Sequence, residues 1–312
     1  MTLAQRLGRI AAAALLVTAI MAGCGGATTP DPGSGVVRVV ATTTVFADLV
    51  RQVGGSRVEV ASLVPAGAEV HTFDPTPSDA RRLAEAKLIV MNGLGLDDWA
   101  ETVATGTDAT APIVHLAEDL EGVAYIESGE GHADESGEHG RIDPHLWLDA
   151  SLAARYVDRI AEALAEVDPE GASAYVDGAG AYRERLEQLD AEVREQLAGI
   201  PEERRRVVSF HDAFAYYARA YGLEVVGTIV DAPGQDPSAG EIGDLVRAIR
   251  EAGVAAILTE VQFSPDLAET VAAETGVAIV ADLYTGSLGE PPVDTYEAML
   301  RWDTERIAEA IE

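Results

Sequence analysis

The chain has 312 residues, 47% of them hydrophobic, and sets 22 Lys and Arg against 53 Asp and Glu for a formal net charge of −31. Apolar runs recur along most of the length, which excludes a disordered chain. A surface this negative repels phosphate, which excludes nucleic acid as a partner and favours cations.

In chain order, residues 1–23 read as a signal peptide. Arg6 and Arg9 precede an apolar run over residues 10–22 that is too short to span a bilayer. The run ends in Met21, Ala22 and Gly23, ahead of Cys24, the single cysteine, so no intrachain disulfide can form. Small residues before a cysteine resemble a bacterial lipoprotein signal, which implies that Cys24 becomes the lipidated N-terminus. Residues 24–35, rich in Gly, Thr, Pro and Asp, read as a flexible tether.

Strands are then expected at 36–41, 58–64, 88–91, 207–210, 223–229, 255–259 and 277–281. Helical patterns lie between several of them, at 45–53, 78–86, 213–221, 240–252 and 265–275. This alternation predicts buried parallel strands with crossover helices. The middle differs. A helix is expected over 149–167, capped by Asp149, and a longer one over 171–198, where Tyr182, Leu186, Leu189, Val193 and Leu197 recur at helical spacing. The fold class is therefore α/β, with two α/β lobes built on parallel-type sheets and joined by one long rigid helix. The N-terminal lobe covers 36–170, the linking helix 171–199 and the C-terminal lobe 200–312, closed by an amphipathic segment at 295–311. Residues 127–141 break the rhythm as an acidic loop holding His132 and His139.

Three of the six histidines stand out. His71 lies in a Pro- and Gly-rich loop after a strand, His145 just before a helix, and His211 at a strand-to-helix junction. Ligands in open α/β sheets bind beyond the carboxyl ends of strands, so the three can converge. Neutral imidazole suits a borderline divalent metal such as zinc. His115, which follows Pro112-Ile113-Val114 within an expected strand, reads as structural.

The flanking residues resemble the metal-binding solute-binding proteins of bacterial zinc/manganese ABC importers, the ZnuA-like family. The likeness rests on residues 67–79 around His71, Asn92-Gly93-Leu94-Gly95-Leu96 with Trp99, Asp143-Pro144-His145-Leu146-Trp147, His211-Asp212-Ala213-Phe214 and Glu260-Val261-Gln262-Phe263. It implies two lobes joined by a long helix, with His71, His145 and His211 as ligands of a metal held between them. It also implies a carboxylate as fourth ligand near the C-terminus, but Gly286 stands at that position. Asp282 is the first expected substitute, then Glu260, with water or Glu69 as the remaining choices. With histidine as the third ligand, zinc is expected, and manganese is the alternative. The expected function is high-affinity metal capture by a monomer, anchored through Cys24 on the extracytoplasmic side of the membrane, and delivery to an ABC permease. His132 and His139 are candidates for secondary metal capture. Competing readings are a three-histidine zinc hydrolase, a binding protein for a bulkier metal chelate, and a surface adhesin.

Overall fold

Val- and Ile-rich strands alternate with amphipathic helices to give two parallel sheets in the computed structural model, which describes residues 35–128 and 142–312. Cys24, His132 and His139 lie outside the described residues. In the N-terminal lobe, β1 (Val37–Ala41), β2 (Val58–Ser62), β3 (Leu88–Met91) and β4 (Ile113–His115) lie in the order β2-β1-β3-β4. Their crossovers carry α1 (Thr44–Gly54), α2 (Pro77–Glu85) and α3 (Asp98–Thr105). Val39 of β1 pairs with Val60 on one side and Leu88 on the other, which makes β1 a central, fully covered strand. The short helix α3 escapes the sequence pattern because its eight residues show too little periodicity.

Two helices follow, α4 (Ala150–Val167) and α5 (Ala172–Ala198). The C-terminal lobe then repeats the first topology. β5 (Arg206–Ser209), α6 (Ala215–Tyr221), β6 (Glu224–Thr228), α7 (Ala239–Ala252), β7 (Ala256–Glu260), α8 (Asp266–Thr275) and β8 (Ala278–Leu283) give the order β6-β5-β7-β8. A last helix, α9 (Tyr296–Ile311), packs back on α5 and on β8.

The 27 residues of α5 extend about 40 Å at 1.5 Å per residue. Its stripe of Tyr175, Ala179, Tyr182, Leu186, Leu189, Val193 and Leu197 is buried against α4, α1 and α9. Gly178 permits the closest approach, because a Cβ there would stand 2.3 Å from the Val53 carbonyl oxygen. Only hydrogen fits at that point. One apolar cluster thereby runs from Phe46, Trp147 and Tyr156, through the α5 stripe, to Tyr217, Tyr296 and Met299. Each such large side chain contributes roughly 1.5–3 kcal/mol on burial, so the long helix serves both sheets as shared core.

The stretch after β8 ties the lobes together. Trp147 Nε1 donates to the Thr285 carbonyl at 2.7 Å, and the Tyr296 hydroxyl donates to the Trp147 carbonyl at 2.6 Å. The Leu288 amide donates to Thr44 Oγ1, the Tyr296 amide to Asp48, and the Gly67 amide to Ser287 Oγ. Among the described residues, no helix is long and apolar enough to cross a membrane.

Candidate metal centre

The loop from β2 to α2 carries His71. Trp99 of α3 donates from Nε1 to the Val70 carbonyl at 3.0 Å and packs on Phe73 at 4.9 Å between ring centroids. The His71 amide donates to Glu69 Oε1 at 2.9 Å. Downstream, Thr76 and Asp79 cap α2 reciprocally, which fixes where the loop ends. His71 is thus held by its backbone, with its ring half-buried.

His145 is positioned from below. Asn92, at the end of β3, donates from Nδ2 to the Pro144 carbonyl at 3.0 Å and accepts the Tyr156 hydroxyl at 2.7 Å. Asp97 accepts from the Thr42 hydroxyl and from the Asn92 and Gly93 amides at 2.6–3.0 Å. Burial raises the Asp97 pKa to about 6, with these hydrogen bonds opposing. Asp143 Oδ1 accepts the His145 amide and lies 2.8 Å from His145 Nδ1. A carboxylate on Nδ1 selects the tautomer whose Nε2 lone pair is available to a metal.

His211 follows β5, and Glu260 ends the neighbouring strand β7. Both are buried, with Glu260 Oε1 2.6 Å from His211 Nδ1. This contact holds the Nδ1 side of the ring against the carboxylate. Burial raises the Glu260 pKa, and His211 opposes it. For His211, burial is the largest single influence and lowers the pKa, but the charge and hydrogen bonding of Glu260 together with the charges of Glu69 and Asp212 outweigh it, and the net direction is upward. Phe263 closes one side, 5.2 Å from the His211 ring.

The three rings meet. Each contributes a nitrogen to a group whose members all lie within 4.8 Å of one another. His71 Nε2 and His145 Nε2 are 3.3 Å apart. Two nitrogens each about 2.0–2.1 Å from a tetrahedral ion would stand about 3.3–3.4 Å apart. The spacing therefore suits an ion between them.

The other candidates among the described residues are not drawn in. Asp282, the first choice for a fourth donor, gets no support from the geometry. Its side chain is 67% exposed and lies 3.8 Å from Arg306. It sits at φ 61°, beside the buried Leu283, so the strand turns Leu283 inward and Asp282 out. Glu260 reaches the back of His211 but is not in the three-nitrogen group. His115 stands elsewhere, with Glu101 at 3.4 Å and Glu118 at 3.5 Å. Sequence reasoning missed the supporting roles of Asp143, Asn92 and Asp97. The Asp-Pro-His spacing at 143–145 was a usable signal for the first, and nothing local marks the other two.

A family profile described as "Zinc-uptake complex component A periplasmic" (ZnuA) matches residues 39–310. The manganese-binding lipoprotein MntA of Halalkalibacterium halodurans is 30% identical over 277 residues, covering 88% of this chain and 88% of that protein. The manganese ABC transporter substrate-binding lipoprotein PsaA of Streptococcus pneumoniae is 28% identical over 319 residues, covering 97% and 99%. Among solved structures, the periplasmic zinc binding protein TroA of Treponema pallidum superposes with a TM-score of 0.79 at 26% identity, over 89% of this chain and 99% of that one.

Proposed function

We propose that zinc is the metal carried by this chain, which belongs to the ZnuA family and captures a divalent metal as the substrate-binding component of an ABC importer. One observation supports the choice of zinc: the cluster is made of three imidazoles, with two Nε2 atoms at a tetrahedral separation. Borderline zinc accepts neutral nitrogen donors well, whereas manganese prefers oxygen. The relatives' names divide, with MntA and PsaA named for manganese and TroA for zinc. The family is one of solute-binding proteins, so the hydrolase reading is set aside.

In this reading His71, His145 and His211 coordinate the ion through neutral nitrogens, so loading displaces protons. Asp143 and Glu260 hold the second and third rings at Nδ1. The long helix and the ties after β8 limit lobe motion, so release awaits docking on the permease. The chain works outside the cytoplasm as a monomer anchored through lipidated Cys24, and His132 and His139 assist capture.

Elemental analysis of protein isolated from its own cells without chelators tests this. One zinc per chain is expected, and none in the His71, His145 and His211 triple alanine variant. Manganese in the wild-type protein would overturn the choice of metal. Unchanged one-to-one binding by the triple variant would overturn the site.

A further inference from the structure

We propose that Tyr216 and Tyr221 of α6 are positioning residues for His145: through them the C-terminal lobe clamps, at both ends, the segment of the N-terminal lobe that carries this ligand. The proposal rests on the three-histidine site argued above.

The hydrogen bonds on either side of His145 carry it. Before the histidine, the Tyr216 hydroxyl accepts the Ile126 amide at 3.0 Å, and the Ile126 carbonyl accepts the Asp143 amide at 2.9 Å. Asp143 Oδ1 in turn accepts the His145 amide and meets its Nδ1. An unbroken chain of hydrogen bonds therefore runs from Tyr216 to the ligand ring. After the histidine, the Tyr221 hydroxyl accepts the Ala150 amide at 3.0 Å. Ala150 is the first residue of α4, and a first-turn amide has no partner inside its own helix. Tyr221 supplies that partner from the other lobe. Between the two ends, Trp147 donates to the Thr285 carbonyl, again in the C-terminal lobe.

Both tyrosines sit on the helix that starts at Ala215, just beyond His211. The same short element thus leads out of one ligand and holds the segment of another. The His145 and His211 rings lie 5.3 Å apart between centroids, and both residues are buried. Groups already held in place lose little freedom on binding, which favours affinity. Tyr217, on the same helix, gives an internal contrast. Its hydroxyl meets Thr304 Oγ1 of α9 at 2.9 Å and has no bond to the His145 segment.

The test compares the full-length Tyr216→Phe, Tyr221→Phe double variant with Tyr217→Phe and the wild type. Zinc affinity, read by competition with a chromophoric chelator, should weaken on the order of 10–100-fold in the double variant and keep its wild-type value in Tyr217→Phe. Amide hydrogen exchange of the metal-free double variant should quicken in peptides covering residues 142–150 and not in those covering β1 and β7. Tyr216→Phe alone, which spares the Ala150 amide, should show a smaller loss of the same kind. Unchanged zinc affinity in the double variant would overturn the proposal. So would an equal loss in Tyr217→Phe, or exchange that stays slow at 142–150 or quickens throughout the chain, because the tyrosines would then not act through His145. Zinc binding that survives in the triple alanine variant would instead overturn the three-histidine site itself.

Discussion

At the ends of β1 and β3, Thr42, Asn92 and Asp97 form a closed hydrogen-bond network. At the ends of β5 and β7, His211 and Glu260 meet in a single buried imidazole–carboxylate contact of 2.6 Å. The two places are topologically equivalent. Each is the point where the strand order reverses, the crevice where open α/β sheets bind ligands. The first lobe uses its crevice for support: through Asn92 the network holds Pro144, and so the His145 loop. The second lobe places a ligand candidate in the crevice directly.

The sharpest way to break this comparison is Asp97→Ala. It would orphan the Thr42 hydroxyl and two amides. Stability measured by urea unfolding should fall by about 3–5 kcal/mol. A variant as stable as wild type, with metal binding lost, would show that the first crevice binds as well as supports.

Acid separates the two regions next. Asp97 has its pKa raised from 3.8 to about 6, so its contribution to stability is fully present below the lower value and lost as pH rises through the upper. That contribution is on the order of 2–3 kcal/mol. Asp48, Glu260 and Asp303, all raised chiefly by burial, act in the same direction. The metal-free protein should therefore resist urea better at about pH 5 than at about pH 7. Metal affinity should move the other way, because protons compete for His211, whose pKa is also raised. Parallel slopes in chelator-competition and unfolding experiments would mean that one set of groups governs both.

Glu260→Gln tests the second crevice. It keeps the shape while removing a buried charge that burial disfavours. Zinc affinity, read by competition with a chromophoric chelator, should weaken on the order of 10–100-fold, with apo stability equal or higher. Lower stability with unchanged affinity would make Glu260 part of the scaffold.

Much of this was legible in the sequence where a single strong periodicity decided it. The α5 stripe from Tyr182 to Leu197 and the Val-rich strands needed no tertiary information. The three histidines were legible as strand-end and helix-start residues, and the resemblance selected them. What failed was orientation. Asp282 lies one residue before the end of β8 and Glu260 ends β7, but one points to solvent and the other lies against His211. Successive strand side chains face opposite ways, so a shift of one residue reverses the answer, and local sequence does not fix that shift. The Asp97 network was invisible for a different reason. Thr42 and Asp97 are 55 positions apart and are brought together only by the pairing of β1 with β3.

The smallest expected effect discriminates most finely. Tyr156 donates its hydroxyl to Asn92 Oδ1, while Nδ2 of the same amide holds Pro144. Tyr156→Phe leaves that buried oxygen without its donor but spares the bond to Pro144. Unfolding should therefore become easier by about 1 kcal/mol, with zinc affinity unchanged. A clear loss of affinity would mean that the tyrosine orients the amide and, through it, His145. The first crevice would then be part of the binding machinery, and the division of labour between the lobes would have to be redrawn.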